Sequence, residues 1–132
     1  MYEKDYIMRL VQEFMRMVAR LSGLREKGQF KQLDEEIREA YRSVLKTGPE
    51  VLSGFGEEDW ARFIRERSPE EVEMAAILQM IEGEALSDRG EKEAASGYFL
   101  RAFSLLEFCD SQLKNFSFDR TERMSTLKNY LK

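Results

Sequence analysis

Apolar residues recur at helical spacing along almost the whole chain. In residues 3–25, Ile7, Phe14 and Leu21 repeat every seven positions, as do Leu10, Met17 and Leu24. Val11 and Val18 widen this stripe, and Met8 and Met15 extend it further. Glu3, Asp5, Arg9, Glu13, Arg16 and Arg20 fall on the other side, with Asp5 and Arg9 placed for an i,i+4 contact. This is the pattern of a long amphipathic helix whose apolar face is broader than a coiled-coil seam. It reads first as a core helix touched on several sides. Alternatively, part of the stripe (Ile7, Met8, Val11, Met15 and Val18) is a self-association or partner face, or lies on a membrane.

Gly28 breaks the pattern, and residues 29–46 predict a second helix with Phe30, Leu33, Ile37, Ala40, Tyr41, Val44 and Leu45 on one side. Gly48-Pro49 ends it, glycine past the last turn and then proline. Residues 49–56 read as irregular, and residues 57–67 as a short helix with Trp60, Phe63 and Ile64 inward. Ser68-Pro69-Glu70-Glu71 is a helix start: Ser68 caps, Pro69 suits the first turn, and Glu71 reaches back. That helix runs to about Ser87, turns at Asp88-Arg89-Gly90, and is followed by another reaching about Asn115. Asp119 with Glu122 forms a second capping box, opening a terminal helix with Met124, Leu127 and Leu131 inward. The expectation is a single all-α domain of about six antiparallel helices and no sheet. Its parts are an N-terminal helix pair (1–48), a loop and short helix (49–67), a helical hairpin (68–115) and a C-terminal helix (116–132).

The stretch Ala76–Cys109 resembles one tetratricopeptide (TPR) unit, a helix-turn-helix repeat of about 34 residues. With Gly90 on the motif's turn glycine, Gly83 takes the small position of the first helix, and Leu86 stands where Tyr is usual. Ala95, Phe99 and Ala102 take the small, aromatic and small positions of the second. Gln79 replaces the motif's first Trp and Glu107 its closing Pro. Small residues at a crossing let two helix axes approach, so Gly83 and Ala95 are expected where the two helices cross, with Phe99 filling the space beyond them. Registered on Gly28, the N-terminal pair is a degenerate echo, with bulky Leu21 and Leu33 where a TPR has small residues.

The opening Met1-Tyr2-Glu3-Lys4-Asp5-Tyr6-Ile7-Met8-Arg9 resembles the start of a family of short bacterial all-helical proteins. Their N-termini run Met-aromatic-x-x-Asp-Tyr-Ile/Leu-Met-Arg, and many end in a TPR-like hairpin. That resemblance implies a helical fold across nearly the whole chain and no particular activity.

Composition then removes much chemistry. Histidine is absent from the 132 residues, so Ser-His-Asp and Cys-His catalysis cannot be built, nor a di-iron site that needs Glu-x-x-His. A single cysteine, Cys109, cannot form an internal disulfide and is too little for a zinc site, and its acidic neighbours Glu107 and Asp110 would raise its pKa. Gly54-Phe55-Gly56 is followed by three acids that would repel a phosphate. Glu70, Glu71, Glu73, Glu82 and Glu84 read as a solvated acidic face rather than a cation site. The net charge of −4 is unevenly spread: residues 50–91 hold twelve acids and four bases, while residues 1–49 come to +2 and residues 111–132 to +3. Neither end is basic enough to track a nucleic-acid backbone. No cofactor or metal is expected.

Binding is what remains. The TPR resemblance implies a groove lined by Ile77, Met80, Glu84, Ser87 and Asp88. Ile77 and Met80 stand where that family carries residues that grip a peptide carboxylate, so a mixed apolar and basic segment suits the surface better. Ile77 and Met80 are otherwise core, covered by the second or the terminal helix. The reading is a non-catalytic cytoplasmic protein-protein interaction or adaptor protein, with a protein or peptide partner and possible homodimerisation. The alternatives are a peripheral membrane-surface protein, using the N-terminal helix with Arg9, Arg16, Arg20, Arg25 and Lys27, and a carboxylate-based enzyme.

Overall fold

The computed structural model describes residues 2–113 and 118–132. Met1 and Asn115, which figure in the expected N-terminal motif and helix end, lie outside them. The described residues are all-helical: α1 (Tyr2–Glu26), α2 (Phe30–Leu45), α3 (Pro49–Ser53), α4 (Glu57–Glu66), α5 (Pro69–Asp88), α6 (Lys92–Gln112) and α7 (Phe118–Tyr130). The chain falls into two compact units, residues 1–62 and 63–132, with the division inside α4.

In the first unit, α1 folds back on α2 at Gly28, whose φ of +68° is left-handed and suits glycine. The Gly28 and Gln29 N–H groups donate to Arg25 and Leu24 carbonyls, closing α1 in a Schellman turn. Arg20 on α1 binds both carboxylate oxygens of Glu36 on α2, which aligns the two helices. Leu33, Ile37, Ala40, Tyr41, Val44 and Leu45 are buried along α2. The segment expected to be irregular contains α3. Gly48 is extended, Pro49 supplies the first turn's fixed φ, and Glu50 places an acid at the positive end. Five residues are too few to show a period, which is why the pattern missed it. Gly56 N–H then donates to Asp59 Oδ2 at 3.0 Å, starting α4, and Phe55 meets the Trp60 ring edge-on at 5.1 Å.

In the second unit, α5 starts at the expected capping box: Ser68 Oγ accepts from Glu71 N–H, and the Glu71 side chain accepts from Ser68 N–H. Arg67 also donates to Glu71 and lies over the Phe63 ring. Eleven of the 20 residues of α5 are buried, on every side of the helix. It is α5, not α1, that is apolar and enclosed all round. The α5–α6 pairing is the most extensive in the chain. At its crossing, a Cβ added to Gly83 would lie 2.6 Å from Phe99 Cε1. The small residue is therefore there to admit the ring.

The two hairpin turns are bonded alike. Lys27→Gly23, Gly28→Arg25, Gln29→Leu24 and Leu33→Gln29 recur as Arg89→Ala85, Gly90→Ser87, Glu91→Leu86 and Ala95→Glu91. Every pair is offset by 62 residues (90 − 28). The buried faces follow the same offset: Leu33, Ile37, Ala40 and Val44 match Ala95, Phe99, Ala102 and Leu106.

The third helix of this unit, α7, packs on α6. It begins at Phe118, so Asp119 stands in its first turn instead of capping it. Leu127 is fully buried, and Met124 and Leu131 are half-buried.

Candidate functional site

One face of α5 carries Glu73, Ile77, Met80 and Glu84 at helical spacing, the stripe that contains the apolar part of the expected groove. Ile77 and Met80 are core residues, 5% and 7% exposed. Glu84 and Ser87 are half-buried, and Asp88 is exposed. Helix α7 bridges the two ends of the stripe. Arg120, 3% exposed, donates to Glu73 through Nε at 2.8 Å and Nη2 at 3.4 Å, and to Asp110 of α6 at 3.1 Å. Burial weighs against its charge, but the bonds to Glu73 outweigh that, with Asp110 adding, and hold the guanidinium's pKa above its ordinary value. At the far end, Tyr130 donates to Glu84 Oε2 at 2.8 Å and stacks on Phe99 at 4.4 Å. Ten residues along α7 thus match eleven along α5, each about 15–17 Å at 1.5 Å per residue. So α7 runs parallel to α5 and antiparallel to α6. Sequence periodicity missed both anchors, because a buried arginine and a chain-end tyrosine have no apolar pattern.

The thiol of Cys109 is fully buried and donates to the Pro69 carbonyl at 3.5 Å. Burial first, then Glu73, Glu70 and Asp110, against a counteracting Arg120, push its pKa up to about 12. A thiol so placed is a packed core group, not a nucleophile. Glu107, expected to contribute, is not among the causes. Of the acidic face, Glu71 is taken up by the cap and Arg67, Glu73 by Arg120, and Glu84 by Tyr130. No three potential ligands converge on a metal position among the described residues. Open depressions lie where α2 and α6 begin, lined by residues such as Lys31, Glu35, Lys92 and Glu93, all exposed.

The other predicted face is laid out differently. Helix α1 has 25 residues against 16 in α2, so about nine residues at its start extend past its partner. No described side chain from Asp5 to Glu13 is buried. Among the described side chains of α1, Phe14, Leu21 and Leu24 alone enter the core. Met8 is 54% exposed, Met15 38% and Tyr6 58%, while Ile7, Val11 and Val18 are half-buried. The helix thus carries two heptad seams. One is Ile7-Leu10-Phe14-Met17-Leu21-Leu24, which includes the three buried side chains. The other is Met8-Val11-Met15-Val18, about 100° round the helix, its methionines exposed and its valines half-buried. No helix among the described residues is long and apolar enough to cross a membrane. Comparison of the chain with protein-family models, curated proteins and solved structures finds no match.

Proposed function

We propose that this is a non-catalytic helical interaction protein of the cytoplasm, binding a protein partner through the open seam of α1. The observation that carries this is the exposure of Met8 and Met15 in an unbroken apolar register with Val11 and Val18. Leaving such side chains in water forfeits roughly 1–2 kcal/mol each in unburied apolar area. Methionine suits a contact surface because its flexible thioether adapts to a partner's shape. In this reading α5 and α6 form a TPR-like unit and α1–α2 its degenerate copy, as the shared turn bonding supports. Helix α7 is bonded to both ends of the α5 stripe, and Ile77 and Met80 between them are buried, so recognition falls to α1.

The test is site-specific photocrosslinking in cells that make the protein, with the probe at Met8 or Met15 and, as control, at Ser104 on the exposed face of α6. Discrete protein adducts from the α1 positions alone are expected. Adducts to lipid only, or none, would overturn the reading.

A further inference from the structure

We infer that the open seam of α1 pairs with the same seam of a second copy of this chain, antiparallel, about a twofold axis near residue 13. This deepens the preceding proposal and rests on it. The seam alternates Met8, Val11, Met15 and Val18. Run against its own copy in reverse, it forms four layers: Met8 on Val18, Val11 on Met15, and their two symmetry mates. Every layer sets a long side chain against a short one, which fills space evenly. A parallel pairing in register would instead stack Met on Met and Val on Val, alternately crowded and void.

Charge selects the same direction. Residues 2–13 hold Glu3, Asp5 and Glu13 against Lys4 and Arg9, a net −1; residues 14–26 hold Arg16, Arg20 and Arg25 against Glu26, and with Arg20 held by Glu36 of α2 that half stands at +1. Antiparallel pairing places the acidic half against the basic half and opposes the two helix dipoles, whereas parallel pairing sets each half beside its like. Gln12 and Ala19, both exposed on the flank away from the buried seam, bring no charge to the contact, and Ala19 is small enough for close approach. Such a contact is isologous, with one patch serving both protomers, and it closes at two copies. Four layers make a small interface, so the dimer is a concentration-dependent one.

Light scattering behind a sizing column tests the idea on the full chain, from about 5 to about 500 μM, the range where a small interface dissociates. The mass is expected to rise from 15.5 kDa toward twice that value. Met8→Glu and Met15→Glu, substitutions at exposed positions, should each hold the mass at monomer while leaving the helical signal and melting temperature unchanged. Orientation is read by oxidising mixtures of Val11→Cys and Met15→Cys proteins. Antiparallel layers predict that the mixed disulfide exceeds either self-disulfide severalfold. A monomer at every concentration overturns the inference, and so does a dimer in which self-disulfides dominate. A persistent monomer whose Met15 probe still crosslinks a different protein removes self-pairing and leaves the interaction reading standing. Loss of both signals removes both.

Discussion

Gly83 shows how much one missing carbon can matter. In an isolated helix, Gly83→Ala would gain about 1 kcal/mol of helix propensity. Here the added Cβ meets the Phe99 ring at 2.6 and 2.8 Å and Tyr98 Cβ at 3.2 Å. The ring has little room to retreat, because Tyr130 stacks on it. Overpacking of this kind costs about 1–3 kcal/mol, so the substitution should lower the urea midpoint. In a Phe99→Leu background the clash is relieved, and Gly83→Ala should become neutral or stabilising. A cycle with no coupling between the two positions would refute the contact. Cys109 gives a second prediction at this scale. With its thiol buried and its pKa pushed up to about 12, labelling by a thiol reagent at pH 8 should proceed at the rate of unfolding or local opening. Labelling should become fast in denaturant; rapid labelling under native conditions would contradict the burial.

At the scale of elements, α7 is held on α6 by buried Leu127 and half-buried Met124 and Leu131, and tied to α5 by Arg120 and Tyr130. Arg120→Met removes the guanidinium and leaves Glu73, 21% exposed at its side chain, without that partner. Because Glu73 and Asp110 can still reach water, the cost should be about 1–3 kcal/mol, below that of stranding a fully buried charge. Asp110→Asn should cost little, since that side chain is 55% exposed. Hydrogen exchange should show α7 amides losing protection in Arg120→Met while those of α5 keep theirs; equal losses in both helices would deny α7 separate attachment. The six longer helices, the Ser68 box, the Gly90 turn and the small residue Gly83 at the crossing were legible in the sequence, because each rests on local spacing or one residue's steric need. Arg120 and Tyr130 were not, since their partners lie 46 or 47 residues away in α5 and ion pairs leave no period. The α1 stripe was read correctly as apolar, but periodicity says where a side chain points on its helix, not what covers it. Five-residue α3 fell below the length at which a period exists.

For the whole molecule, the absence of histidine shapes the response to pH. No side chain has an ordinary pKa between those of the carboxylates and the thiol. The resolved shifts lie at the two extremes. Arg20 beside Glu36 holds that carboxylate below its ordinary value, so its contribution is present at neutral pH and is lost as pH falls through the folded-state value. Burial raises Cys109 and Tyr98, so their protonated forms favour the fold. That contribution is complete below the unfolded thiol value of 9.0 and declines as pH rises from there toward about 12. Stability should therefore be flat from about pH 6 to 8 and fall on either side, as urea titrations at stepped pH would show. Self-association should follow the same plateau, since Met8, Val11, Met15 and Val18 carry nothing that titrates. Its dissociation constant should change less than about twofold over that range, and only a few-fold between low and moderate salt, because charge selects direction while apolar contact supplies the affinity. A steep loss with salt would instead mark the arginines as the principal contacts, as on an anionic surface, and would move the functional face from the Met-Val seam to Arg9 and Arg16.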